Sequence, residues 1–354
     1  MAGTDIKKIL VLDGISGVPL GREICEALNT LGISAVRFDC LHQAKRMFYS
    51  IRSAFAKIKN KKSRCDGFYF LPLLVEKKLE AFVARERPSH ILVIGFAYKF
   101  YDLTHLRKIA DQFDARLFLY DTDSCNLYSK RREFIFFIEN ELPIYDRIFS
   151  FSQVTTRFFC ETRHLDAVHL PFAAQAIKSL HSSDGEIDVL FVGSCDLRRI
   201  VMLEEIKAHV SIRGSRWQRN FPLISRELQS RVIDKPVWGA DLHELLSRSK
   251  IVINITRTDF FGVETGINLR LFEALAAGCF LLTDYCEEIN ALFDVGKEIE
   301  VFGSRSELGQ KVRYYLEHED ERLAIAGRGH DKFLESHTWC NRVGQMASQM
   351  RIST

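Results

Sequence analysis

KIVINITRTDFFGVETGINLRLFEALAAGCFLLTD, residues 250–284, reads as strand, loop, helix and strand. KIVINIT has the length and the unbroken apolar character of a strand buried on both faces, and RTDFFGVETGIN is a polar, glycine-containing loop at its carboxyl end. Asn268 suits the N-cap of the helix that follows, whose Leu269, Phe272 and Ala276 fall on one face at i, i+3 and i+7. Ala274, Ala276, Ala277 and Gly278 keep that helix close to a sheet and stop it before CFLLTD. Two apolar strands flanking a helix form the repeating unit of a parallel α/β sheet.

The same unit recurs along the chain before it. Ahead of it lie KKILVLDG, ISAVRFD, HILVIG, ARLFLYD and RIFSFS, and then, after a polar stretch, IDVLFVG and HVSIRG. The pattern predicts an N-terminal Rossmann-like domain over 1–172, a linker over 173–186 (AAQAIKSLHSSDGE) and a second Rossmann-like domain from 187. The architecture restarts without a sequence repeat. A chain of 354 residues is too long for one ordinary core, and 47% hydrophobic with 27% charged residues excludes disorder as a class. A net charge of +3 is too mild to argue for nucleic acid, and no nucleic-acid partner is expected.

MAGTDIKKILVLDG runs directly into a strand pattern without an apolar leader, and no stretch approaches 18 apolar residues. The reading is of a cytoplasmic chain, neither secreted nor spanning a membrane. The nine cysteines, with no C-x-x-C pair, read as reduced thiols and not as a metal site.

In open α/β sheets ligands bind beyond the carboxyl ends of the strands. Six segments qualify: 13–21, 95–101, 121–124, 193–199, 213–217 and 257–268. Four of the six carry Arg or Lys, which favours an anion. Arg270 lies in the first turn of its helix and Glu273 one turn deeper, with both side chains leaning back toward the N-terminus. A helix N-terminus plus an Arg fork suits phosphate. A carboxylate there is at odds with phosphate unless it accepts from neutral hydroxyls such as those of a ribose. The competing reading is that Arg270 and Glu273 pair with each other on the helix face.

Asp121 and Asp123 form D-x-D at a strand end, and Asp13 ends the first strand before a glycine loop. All three are candidates for a base or acceptor-binding role, with turn chemistry as the alternative. Trp217 and Trp238, the latter just before Gly239, are candidates to stack on a base, with core packing as the alternative. Residues 45–64, KRMFYSIRSAFAKIKNKKSR, hold eight Lys or Arg and no acid, with Phe48, Ile51, Phe55 and Ile58 near one helical face. Such a helix can rest peripherally on an anionic membrane, hold an anionic acceptor, or be a domain helix with a solvated basic end.

From about residue 187 to 345 the order of DVLFVGSCDLRR, VSIRGSRW, VWGADLHELLSRSKIVINITR, GINLRLFEALAAGCFLLTD, ELGQKVRYYLEHEDERLAIAGRG and HTW resembles the GT-B glycosyltransferases of the CgeB-type, spore-maturation-like group within the glycosyltransferase family 1 pattern. The resemblance implies two Rossmann-like domains facing a central cleft, the second over 187–337 holding a nucleotide sugar and the first a glycan, protein or lipid-linked acceptor. It also implies a terminal helix within 338–354 crossing back to the first domain. Carried over by position, Gly193, Arg199, Trp217, Gly239, Arg257, Asn268, Arg270 and Glu273 would surround the donor. Glu273 matches the second glutamate of the paired-glutamate signature, whereas the first falls on Thr265, with Glu264 one place away, so a retaining outcome does not follow. No metal and no tightly bound cofactor are expected, because D-x-D metal sites belong to a different glycosyltransferase fold. A nucleotide-sugar epimerase of the same fold, or a non-catalytic nucleotide-sugar-binding protein, are the alternatives to a transferase.

Overall fold

The computed structural model describes residues 7–15, 17–60, 68–177 and 186–352. The chain divides into two compact units, Met1–Leu170 with Val343–Thr354, and Pro171–Arg342. In the first, β1 (Ile9–Asp13), β2 (Ala35–Asp39), β3 (His90–Ile94), β4 (Arg116–Asp121), β5 (Arg147–Ser150) and β6 (Ala167–His169) form one parallel sheet in the order β2-β1-β3-β4-β5-β6. Every residue of β1 and β3 is buried, as helices on both faces require, and Leu10 lies opposite Val36 on one side and Ile91 on the other. Leu12, Phe38, Val93, Phe96, Tyr98 and Phe137 lie in the core around this sheet.

The second unit repeats the plan with β7 (Ile187–Val192), β8 (Val210–Arg213), β9 (Val232–Ile233), β10 (Ser249–Asn254), β11 (Phe280–Asp284) and β12 (Glu300–Phe302), ordered β12-β11-β10-β7-β8-β9. Read from β9, this is the Rossmann order, whose direction reverses between β7 and β10. The nine apolar runs named from the sequence are all strands, while β6, β9 and β12 add short edges of three, two and three residues. Of the expected linker, 178–185 lies outside the described residues, and Ala174 forms a parallel bridge with Thr338. Helix Trp339–Gln349 follows, and from Val343 the chain belongs to the first unit, where the Met350 carbonyl accepts from His90 Nε2 at 3.2 Å.

His337, ahead of that helix, is buried against the rings of Phe272 and Phe293, with centroids 5.6 and 4.7 Å away. Its Nδ1 faces Arg342 Nη2 at 3.2 Å and its Nε2 faces the Leu292 carbonyl at 3.4 Å. Since a guanidinium only donates and a carbonyl only accepts, the partners select the neutral ring with its proton on Nε2. Burial, and then the Arg342 charge, push its pKa down from 6.5 to about 4.

A depressed histidine pKa means that the unfolded chain takes up the proton first, so the contribution is whole above pH 6.5 and is lost as pH falls toward 4. At 1.36 kcal/mol per pKa unit the loss is about 3 kcal/mol at most. Urea unfolding between those pH values should show this fall in the wild type and a flatter profile in His337→Gln. Parallel profiles would assign the pH dependence to other groups.

Candidate functional site

The reversal between β7 and β10 in the second unit places the loops after these strands side by side, and Arg199 ties them together. Its Nε donates to the Ile255 carbonyl and its Nη1 to the Ser194 carbonyl, each at 2.8 Å. Asp196 caps the helix Leu197–Leu203 by accepting from the Arg199 N–H at 2.9 Å, and also lies 3.4 Å from the Thr258 N–H. Burial lowers the Arg199 pKa to about 10. Two of its guanidinium nitrogens are thus committed to loop carbonyls, so that Arg199, expected beside the donor, joins the two loops.

Trp217 requires a correction. It is wholly buried, edge-on to Phe191, and its Nε1 donates to the Gly193 carbonyl at 2.9 Å, so no ring face is open to a base. Gly193 is instead packed between loops: a Cβ there would lie 2.9 Å from the Phe191 ring and 3.1 Å from Arg199 Nη1. Gly214 matters more, because a Cβ on it would lie 1.9 Å from the Gly193 carbonyl oxygen. Gly239, at φ +57°, opens helix Gly239–Ser247 with free space around it, next to the partly exposed Trp238.

Arg198 and Asp284, not singled out from the sequence, lie beside these loops. Arg198 Nη1 reaches Asp284 Oδ2 at 2.7 Å and the Thr256 carbonyl at 2.8 Å, with its guanidinium 3.8 Å from the centre of the Phe261 ring. Asp284 also accepts from the Thr256 N–H and hydroxyl, each at 2.9 Å. Arg257 is half-buried over the Phe260 ring, and its guanidinium makes no hydrogen bond or ion pair among the described residues. Glu264, at φ +57°, is exposed, while Thr265 is buried and donates to Glu288 Oε2 at 2.7 Å.

Asn268 is the N-cap of helix Leu269–Ala276, its Oδ1 accepting from the Arg270 N–H at 3.0 Å. Its Nδ2 donates to Asn254 Oδ1, and Asn254 in turn donates to the Thr283 hydroxyl, at 2.8 and 2.9 Å. The relay pins the helix start to the ends of β10 and β11. Within the helix, Leu269 is only half-buried, and the buried side is built from Leu271, Phe272, Ala274, Leu275 and Ala276.

Arg270 Nη1 stands 2.8 Å from Glu273 Oε2, so the two charges do pair. The contact is close but misaligned: Arg270 Nε and Nη1 and Glu273 Oε2 are buried with no hydrogen-bond partner. Burial lowers the Arg270 pKa and raises that of Glu273, and each opposes the other's shift. Trp238 lies 5.4 Å from the guanidinium, and His243, its pKa lowered by burial and then by Arg270, is close by. A buried pair with unmet hydrogen bonds is destabilising by itself and is equipped to meet a polar ligand.

The three aspartates lie in the first unit, and the structure corrects two of them. Asp13 is buried and accepts from Arg37 Nε at 2.9 Å and from the Ile15 N–H at 3.2 Å. Asp121, also buried, accepts from the N–H and hydroxyl of Ser124 at 3.0 and 2.7 Å and from the Ser150 hydroxyl at 3.0 Å. Their carboxylates hold turns at the strand ends instead of standing open as bases. Asp123 is half-buried and accepts from the Asn126 side chain.

Residues 198–348 match the family described as glycosyl transferase-like, a stretch that includes Arg257, Asn268, Arg270 and Glu273. No curated protein matches the sequence. Among solved structures, sucrose-phosphate synthase from Thermosynechococcus elongatus is similar at 13% identity and a TM-score of 0.64, over 97% of this chain and 99% of that one. Anabaena HepE in complex with UDP and glucose is similar at 13% identity and 0.62, over 98% and 99%. An alpha-glucosyltransferase in complex with UDP-glucose and abasic-site DNA is similar at 11% identity and 0.67, over 97% and 99%. The chain has the α/β architecture of these GT-B glycosyltransferase structures, with its two parallel six-stranded sheets.

Arg270→Met alone should destabilise the chain by about 3–5 kcal/mol, because Glu273 is left as an uncompensated buried charge. Combining it with Glu273→Leu should recover that loss and add up to about 1–4 kcal/mol over the wild type. Chemical denaturation of the three proteins checks this, and a double variant weaker than the single would mean that the pair supports the fold.

Proposed function

We propose that this chain is a glycosyltransferase that moves a sugar from a nucleoside diphosphate sugar, a UDP-sugar by analogy with the structural neighbours, to a hydroxyl of a glycan, protein or lipid-linked acceptor. The observation that carries the reading is the Arg270–Glu273 pair, buried with three polar atoms unmet at the start of a capped helix beyond β10. A nucleoside diphosphate offers both things the pair lacks. Its phosphate oxygens accept from the Arg270 fork, and its ribose hydroxyls donate to Glu273. The match of residues 198–348 to a glycosyl transferase-like family supports the same reading. So do the nucleotides in the neighbouring structures, UDP with glucose in one and UDP-glucose in another. Membership of the CgeB-type group is a further part of the proposal, resting on the order of the motifs.

In the reaction the bond from the anomeric carbon to the diphosphate oxygen breaks as the acceptor oxygen bonds to that carbon. The acceptor proton leaves to a base, and the nucleoside diphosphate departs. Negative charge grows on the diphosphate while the sugar becomes oxocarbenium-like. Arg270 and the uncommitted Arg257, with the N–H groups of helix Leu269–Ala276, carry that charge without a metal, in positions fixed before the reaction begins. Arg199 acts one step back, by holding the loops that carry these groups.

A thermal-shift panel of nucleotides and nucleotide sugars is the direct test. A matching donor at 100 times its Kd should add about 2.7 kcal/mol, and the Arg270→Met/Glu273→Leu protein should lose this response although it is folded. Glu273→Gln should weaken nucleotide binding by roughly 1–3 kcal/mol, and a nucleotide lacking the ribose hydroxyls should distinguish poorly between it and wild type. A full response in the double variant would remove the site assignment. Turnover of the sugar nucleotide without an acceptor would indicate an epimerase, and binding without turnover a binding protein.

A further inference from the structure

Helix Tyr49–Asn60 in the first unit is amphipathic, but it is mounted with its apolar face outward. At about 100° per residue, Ile51, Ala54, Phe55 and Ile58 share one face, and Tyr49, Ser53 and Ala56 the opposite one. The second set is half-buried, and the Tyr49 hydroxyl donates to the Leu71 carbonyl at 2.9 Å. The first set faces solvent: Ile51 is 58% exposed, Phe55 70% and Ile58 66%, and before the helix Met47 is 75% and Phe48 71% exposed. No other part of the described surface groups so many large exposed apolar side chains. A patch of this kind on a soluble surface marks an interaction site.

The cations around it indicate what the face meets. Arg52 and Lys57 sit on opposite flanks of the apolar stripe, and Lys45 precedes it, all exposed. None of the three makes an ion pair among the described residues. Residues 45–64 contain no acid at all. Arg46 is different: it pairs with Glu76 at 2.6 Å and donates to the Pro72 carbonyl at 3.0 Å, fastening the segment to the unit. Two copies of this face brought together would set cation against cation with no carboxylate between them. An anionic lipid surface satisfies both features at once, since acyl chains take the apolar stripe and headgroups take the flanking charges.

We propose that helix Tyr49–Asn60, with Met47 and Phe48, is an in-plane docking element that seats the chain on an anionic bilayer. The full chain should co-sediment with vesicles made of equal phosphatidylcholine and phosphatidylglycerol, and about tenfold less with phosphatidylcholine alone. Added salt should weaken the binding. Arg52→Gln/Lys57→Gln should lower the partition coefficient on the mixed vesicles by on the order of tenfold, and Ile51→Asn/Phe55→Ser/Ile58→Asn should abolish binding. Because these side chains are exposed, circular dichroism and the unfolding midpoint should be unchanged in both variants. Absence of wild-type binding, equal binding to both vesicle types, or retention by either variant would overturn the proposal. So would concentration-dependent self-association that the triple variant abolishes without any lipid binding, which would assign the face to a second copy of the chain.

Discussion

The crossing of Arg199 over the reversal point of the second sheet is the constraint on which the rest of this unit depends. Beyond the paired ends of β7 and β10, the following loops have backbone carbonyls without ladder partners, and such groups must find donors if they are buried. One side chain supplies donors to both loops, through Ile255 on one and Ser194 on the other. Trp217 takes the Gly193 carbonyl, and Gly214 lets the β8 loop pass within reach because it has no Cβ. With these loops fixed, Asn254 and Asn268 fix the start of the next helix in turn.

That rigidity gives the Arg270–Glu273 pair its meaning. An ion pair on an exposed helix face contributes little and adjusts freely. Here both side chains are buried, and the helix cannot shift to improve their alignment because its cap is bonded to β10 and, through Asn254, to β11. The misfit therefore persists in the folded chain. Local strain or unmet polarity that the surroundings hold in place is characteristic of binding sites, where stability is given up for readiness.

Strand positions and the helix cap were legible because they rest on local pattern. Unbroken apolar runs marked nine strands, and Asn268 ahead of an amphipathic run marked the cap, whereas β6, β9 and β12 are too short to show periodicity. What a polar side chain meets in space is not local. Arg199 and Arg257 look alike in sequence, yet one is bonded to two loops and the other makes no hydrogen bond or ion pair among the described residues. Asp13 and Asp121 end strands where catalytic groups are often placed, but Arg37, Ser124 and Ser150 meet them first. Asp284 carries the same strand-end signal, and it joins Arg198 and Thr256. The helix at 49–60 was legible as amphipathic, but a wheel cannot say which face is inward. Small residues and one tyrosine hydroxyl decide that here.

The departure from the paired-glutamate pattern at Thr265 has a physical reason in the loop. Gly266 sits so close to the segment after β11 that a Cβ on it would lie 3.0 Å from Cys286 Sγ and 3.1 Å from the Thr256 hydroxyl. That approach turns residue 265 inward, onto the buried carboxylate of Glu288. A glutamate at 265 would press a second carboxylate against the buried Glu288, and two like charges in one buried site cannot both remain ionised. A threonine donates one hydrogen bond and avoids the conflict. Glu264, one place away, has a left-handed backbone and an exposed side chain. In this loop the buried carboxylate beside residue 265 is that of Glu288, which lies beyond the next strand.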